Sequence, residues 1–375
     1  NSDAPAGERY TAMSKNSETD GETISGFGQV IWDIVPEVEI AGGMRYTHET
    51  KDSYFIHPYV HPFLTAAIVP DVRLATDQTF NNWSPEATVT WTPTDQLTIY
   101  GGYKTAYKSG GFSNSAILGA ATSLDDFTFE PEKAKGFEVG VKTQLFNNTL
   151  RFDVTAYSYK YKNLQVDFFN SPTFAYITTN AGSAKAEGVE LQFDWAPPVA
   201  GLQFHGSLNY NKARYQDFIA PCYTGQTPAA GCTITGPAPA FTPMQDLTGV
   251  ETAVAPKWTA SFGGSYETPI SDGLILGISA DARYSDDYLA SGFGAPLSRQ
   301  DEFVILDASV RVRTADNQWE LALIGRNLTD QFYVNSVVDG PSTGGGTGTP
   351  AGMLADQLGH GGLPRTVQLQ LTWRY

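Results

Sequence analysis

The chain ends on a segment whose two faces have nothing in common. From Val367 to Tyr375 it reads VQLQLTWRY. Successive side chains of an extended strand point to opposite sides. Val367, Leu369, Leu371, Trp373 and Tyr375 therefore share one face, and Gln368, Gln370, Thr372 and Arg374 share the other. The apolar face must be set against a protein core or against lipid, and the rest of the chain has to agree with whichever it is.

Period-2 patterning recurs along the sequence. About thirteen strands are expected, near 22–34, 38–48, 83–92, 96–107, 134–146, 149–162, 184–196, 201–214, 256–268, 273–285, 302–313, 318–327 and 365–375. Leu150, Phe152, Val154 and Ala156 oppose Arg151, Asp153 and Thr155; Val189, Leu191, Phe193 and Trp195 oppose Glu190, Gln192 and Asp194. Tight polar turns such as Val35-Pro36-Glu37 and Phe146-Asn147-Asn148 alternate with long connections, roughly 49–82, 108–132, 163–183, 215–255, 286–301 and 328–364. Loops beyond about 15 residues are uncommon in compact domains. Six on one side of one sheet fit poorly with a soluble β-sandwich, the competing architecture. They fit a transmembrane antiparallel β-barrel, with short periplasmic turns and long extracellular loops. Apolar faces ending in aromatics, among them Trp32, Trp91, Trp195, Trp258, Trp319 and Trp373, point to interfacial girdles.

Composition agrees. No run of about 18 apolar residues occurs, which removes a transmembrane helix but not barrel strands. Forty acidic residues against 24 basic ones give a net charge of −16, which argues against nucleic acid as a partner. No nucleophile–base set, acid pair or cofactor fingerprint stands out, so neither an enzyme nor a cofactor is expected. Gly340–Gly352, GPSTGGGTGTPAG, lacks the strand, helix and lysine of a phosphate cradle and is expected to be a flexible surface loop.

Several stretches together resemble one family. They are YGGYKTAYKSGGF from Tyr100, FEPEKAKGFEVGVKTQL from Phe129, NNTLRFDVTAYSYKYKNLQV ending at Val166, NAGSAKAEGVEL from Asn180, APKWTASFGGSY from Ala255 and IGRNLTDQFY from Ile324, followed by Leu363-Pro364-Arg365 and the terminal aromatic. In this order the set is similar to the C-terminal barrel of TonB-dependent outer-membrane receptors, from about Gly21 onward. The resemblance implies a 22-stranded barrel closed around an N-terminal plug. Substrate bound outside is admitted when periplasmic TonB pulls on that plug. About thirteen strands and no plug-like segment imply the C-terminal part of such a barrel. Residues 1–21 are then expected in an extracellular loop, and 22–375 in the barrel. An open sheet would leave two unpaired edges in lipid, which is costly.

The same resemblance suggests active import of a large scarce solute, with a ferric siderophore first and haem, cobalamin and glycans after it. A passive porin and a surface adhesion or assembly barrel are the alternatives. Expected partners are outer-membrane lipid and lipopolysaccharide, the plug, TonB through it, and the barrel assembly machinery. That machinery would read Val367, Leu369, Leu371, Trp373 and Tyr375. The run YFIHPYVHPFLTAAIVP from Tyr54 is read as an aromatic loop over the mouth. His57, Tyr59, His61, Tyr107 and Lys108 are the candidate solute contacts. Three histidines, His48, His57 and His61, gather there, but no carboxylate or thiol completes a metal-ligand spacing. Charges on inward faces, such as Lys104, Glu138, Asp281 and Arg311, are read first as wall and plug contacts. Cys222 and Cys232, the only cysteines, lie in an outside loop rich in Pro and Gly, and a disulfide between them is expected.

Overall fold

A computed structural model describes the chain except residues 1–6, 8, 9, 120, 121, 123, 171–174, 237–241 and 341–342. Thirteen strands form one sheet, each paired antiparallel with the next in sequence. They are β1 (Met13–Val35), β2 (Val38–Val60), β3 (Arg73–Thr94), β4 (Leu97–Lys108), β5 (Glu132–Leu145), β6 (Leu150–Asn170), β7 (Ala175–Trp195), β8 (Leu202–Asp217), β9 (Trp258–Ser271), β10 (Leu274–Ser285), β11 (Phe303–Thr314), β12 (Trp319–Arg326) and β13 (Thr366–Trp373). Apart from a four-residue helix, Leu124–Phe127, and three 3-10 turns, the described structure is all β. β1 pairs only with β2 and β13 only with β12, so the sheet has two free edges.

The terminal segment shows how the wall is built. β13 pairs with β12 in the register Trp319↔Trp373, Leu321↔Leu371 and Leu323↔Leu369. All six side chains stand outward, with Leu369 69% exposed. A soluble sheet would hide such a face. All seven tryptophans are likewise at the surface. On β3, Trp83 and Trp91 lie eight residues apart, about 26 Å along a strand. With barrel tilt this approaches the apolar band of an outer-membrane barrel. Tyr46 packs on Trp83 with ring centroids 4.7 Å apart, Tyr103 on Phe137 at 5.1 Å and Tyr210 on Trp258 at 4.8 Å. These pairs form one rim; Trp32, Trp91, Trp195, Trp319 and Trp373 form the other. Among the described residues no helix is long and apolar enough to cross a membrane. The strands do so.

The short turns all lie at the second rim. In Phe146-Asn147-Asn148 all three residues have positive φ, a conformation asparagine tolerates well. The long connections all lie at the opposite end, but two expectations about them are corrected. The 49–82 and 163–183 segments are mostly strand: β2 runs to Val60, β3 starts at Arg73, and β6 and β7 pair out to Asn170↔Ala175. Residues 13–21, expected in a loop, belong to β1. These extensions rise beyond the aromatic rim. There the inner faces are covered by connections: Phe55 packs with Ala116, Leu118 and Phe127, and Tyr215 with Ala181, Ala184, Phe218, Leu247 and Phe293. Phe55 and Phe127 are fully buried.

Candidate functional site

Two surfaces offer chemistry: the polar inner wall between the rims, and the layer of connections above it. The inner wall is organised by glycines. Tyr100, Gly140 and Thr155 lie abreast on β4, β5 and β6, and the two hydroxyls meet at 2.8 Å across the glycine. Tyr157 reaches Asn211 over Gly188 at 3.1 Å. His205 reaches Asp281 over Gly263 at 2.9 Å. Glu267 reaches Arg311 over Gly277 at 3.5 Å. A Cβ on Gly140 would stand 2.5 Å from the Tyr100 ring, and one on Gly263 2.5 Å from His205 Nε2. Direct neighbours pair as well, for example Lys104 with Glu138 at 2.6 Å and Arg283 with Asp307 at 2.8 Å. The wall thus satisfies many of its own charges, as the sequence reading of wall contacts anticipates, and bridges strands that are not neighbours.

The candidate solute contacts do not form one cluster. His57 is fully buried at the inner face of β2. Its Nε2 accepts from the Leu118 N–H at 3.2 Å and its Nδ1 lies 3.2 Å from the Ser14 carbonyl. The proton is therefore on Nδ1, and both nitrogens are used within the protein. Burial, and then the positive charge of Lys15, depress its pKa against the opposing pull of the Ser14 carbonyl. His57 is a structural contact rather than an open ligand. Tyr59 is on the same strand, whereas the sequence reading has it in a loop. His61 caps a 3-10 turn, Pro62–Leu64, accepting from the Phe63 N–H at 3.2 Å.

Tyr107 sits at a different level, near Glu49, eight residues before His57 on β2. Its buried hydroxyl has no hydrogen-bond partner among the described residues, and burial, with Glu49 adding to it, pushes its pKa up to about 12. Lys108, the last residue of β4, is exposed.

Sequence reasoning missed the latch between β1, β2 and the 109–127 connection. Lys15 Nζ donates to the carbonyls of Asn114 and Ala116 and lies 4.6 Å from the centre of the Phe55 ring. Burial pushes its pKa down to about 8. Lys51 Nζ donates to Ser109 Oγ at 2.7 Å and pairs with Glu49 at 2.8 Å. No local motif marks these residues, because their partners lie about 60 to 100 positions away.

On the other side of the mouth, Cys222 and Cys232 are joined by a disulfide with a Cα separation of 5.8 Å. Residues 343–352 of the glycine-rich segment, expected to be flexible, are tied to that loop, residues 341–342 lying outside the described residues: Gly348 N–H donates to the Gln226 carbonyl at 2.8 Å, and Gly225 N–H to Thr347 Oγ1 at 2.9 Å. Tight backbone contact explains the glycines; a Cβ on Gly225 would collide with the Met353 carbonyl. Among the described residues no group of three or more His, Cys, Asp or Glu could hold a metal ion.

The wall is open-edged, apolar on its outer band, charge-paired inside and covered at one end by a folded layer. Residues 1–328 match the family described as TonB dependent receptor-like, beta-barrel. The chain belongs to this family. It is similar to the pesticin receptor of Yersinia enterocolitica, 26% identical over 184 residues, covering 49% of this chain and 25% of that protein. It is also similar to the ferrichrome outer membrane transporter/phage receptor of Escherichia coli, 27% identical over 255 residues, covering 64% and 29%. The ferric yersiniabactin uptake receptor of Yersinia pestis has the same fold, with a TM-score of 0.71 at 16% identity over 96% of this chain and 46% of that one. This TonB-dependent receptor barrel therefore spans between a quarter and a half of the length of these relatives. The family locates it in the bacterial outer membrane.

Proposed function

We infer that the chain is the C-terminal wall of an active importer for a large scarce solute, with a ferric siderophore as the first candidate. The solute would bind at the loop-covered end, outside the cell, and pass through the lumen when TonB acts on a plug. The family match over residues 1–328 carries this reading. The relatives named for pesticin, ferrichrome and ferric yersiniabactin support the substrate class. The two free edges support completion by further strands, since unpaired edges in hydrocarbon are prohibitively costly. Tyr59, His61, Tyr107 and Lys108 remain the residues for solute contact; His57 acts by holding Leu118.

The test is uptake by the complete receptor in iron-limited cells. Transport of a ferric siderophore should require TonB and the proton-motive force. Undiminished flux in a TonB-deficient strain would replace this reading with a passive pore.

Val367, Leu369, Leu371, Trp373 and Tyr375 form an apolar face that runs down the last strand and finishes at the short-turn end, which supports their role as the signal read by the barrel assembly machinery. Replacing Trp373 and Tyr375 by Ser should lower the folded receptor in the outer membrane several-fold. An unchanged amount of heat-modifiable barrel would remove that role.

A further inference from the structure

The pairing register places cations side by side on the outer surface. Lys135 of β5 lies opposite Lys160 of β6, which lies opposite Lys185 of β7, which lies opposite Arg214 of β8. One step further from the membrane, Lys133 lies opposite Lys162. All six point away from the lumen: Lys135 shares a face with Phe137 and Val139, which are 66% and 56% exposed, while the neighbouring inner positions Ala184 and Tyr215 are buried. Side chains directly opposite on adjacent strands have Cβ atoms about 5 Å apart, and like charges there repel. Six of the 24 basic residues of a chain with net charge −16 are concentrated in this patch.

The protein neutralises little of it. Glu187 pairs with Lys185 and lies 3.7 Å from Lys212. Arg214 Nη1 donates to the Gly249 carbonyl at 2.6 Å. The side chains of Lys133, Lys135, Lys160 and Lys162, all exposed, have no hydrogen bond or ion pair to any described residue. Their height is informative. Lys135 is two residues beyond Phe137, a member of the upper aromatic rim, or about 7 Å along the strand. Beneath it the outward face is apolar, with Val139, Ala156, Val189 and Tyr210 abreast on β5, β6, β7 and β8. A ligand fitting this surface is anionic at headgroup level and apolar below.

We propose that the row Lys135–Lys160–Lys185–Arg214, with Lys133 and Lys162 above it, is a lipopolysaccharide site. The lysine ammonium groups take the lipid phosphates as point charges, and the acyl chains lie against Val139 and Val189. The proposal rests on the reading that the long-connection end faces the cell exterior, where this lipid forms the outer leaflet. It deepens that reading by giving the lipid partner a defined address. The opposite side of the sheet lacks the feature. At the equivalent height β1, β2 and β3 carry Ile24, His48 and Asn81.

The test uses the complete receptor, purified from cells in mild detergent and exchanged into vesicles. The probes are bis-phosphorylated lipopolysaccharide, the same lipid enzymatically dephosphorylated, and inorganic phosphate. The wild type should retain the phosphorylated lipid. A variant with Lys133, Lys135, Lys160 and Lys162 all changed to Gln should bind it at least tenfold more weakly, while keeping its heat-modifiable mobility. Changing Asp20, Asp52 and Asp77 to Asn should leave binding unchanged. Dephosphorylated lipid should bind wild type and variant alike, and millimolar inorganic phosphate should not displace the phosphorylated lipid. Equal retention by wild type and the quadruple variant overturns the proposal; so does strong binding of the dephosphorylated lipid, or displacement by free phosphate. An epitope inserted after Thr65 separates the two levels of failure. If antibody reaches it in intact cells and the quadruple variant still binds normally, the site is wrong and the orientation stands. If antibody reaches it only after permeabilisation, the orientation is wrong and the site falls with it.

Discussion

The band between the aromatic rims and the layer above it are built to opposite rules on the same strands. In β2, Met44 faces outward and Arg45 inward below the rim; above it, Asp52 faces outward and Phe55 is fully buried inside. In β8, Leu208 is outward below, whereas above it Arg214 is outward and Tyr215 is 2% exposed inside. The pleat continues through the rim without a change of side. What changes is the solvent. Below, lipid lies outside and a polar lumen inside; above, water lies outside and packed connections inside. The hydrophobic effect therefore selects opposite faces of one strand within a few residues.

The sharpest way to break this comparison is to remove apolar volume from each half. Phe218→Ala empties the core around Tyr215, Leu247 and Phe293. The expected cost is about 3–5 kcal/mol, as for a large buried aromatic, confined to the upper layer. Limited proteolysis should cut the 218–257 connection at least tenfold faster, while the heat-modifiable mobility of the barrel stays unchanged. Loss of the whole barrel would show that the upper core is not a separate layer.

A charge swap is the next test. Leu369→Arg places a cation near the middle of the lipid-facing band, at a cost of about 2–4 kcal/mol. Asp52→Arg makes the same outward addition above the rim and should change stability by less than about 0.5 kcal/mol. Reversible denaturant unfolding in vesicles measures both. Similar losses would mean that Asp52 is not in water.

The smallest effect is one of pH. The folded-state pKa of His57 lies below its ordinary value, so the folded state binds fewer protons than the unfolded one as the pH falls. Its contribution is fully present above about pH 6.5 and declines below that. Protonation also removes the acceptor for the Leu118 N–H. Hydrogen exchange at Leu118, corrected for the intrinsic rate, should speed up between pH 7 and 5, and His57→Gln should remove the pH dependence. Flat protection across that range would mean that the ring is not titrating there.

The inversion at the rim also explains what could be read in advance. Within the band one face is uniformly apolar, so period 2 is visible and all thirteen strands were legible, with the tight turns between them. Beyond it the hydrophobic phase reverses, and over Glu49–Val60 the two signals cancel. The strand continues there without any pattern to show it. The candidate residues suffered from the same limit. His57 looked like an accessible ligand because nothing local announces Leu118, 61 positions away, as its cover.

The sequence by itself determined the barrel, the division into a short-turn end and a long-connection end, and the family, because those depend on alternation, on turn chemistry and on short stretches read in order. Tertiary structure decided which residues meet. The row of cations needs the register of four strands, and no single strand carries more than two of its members. The glycine-bridged pairs need three strands each, as when Gly263 leaves room for His205 to reach Asp281. A strand's faces follow from its own residues, but its neighbours at a given height are fixed only when the sheet closes its hydrogen bonds.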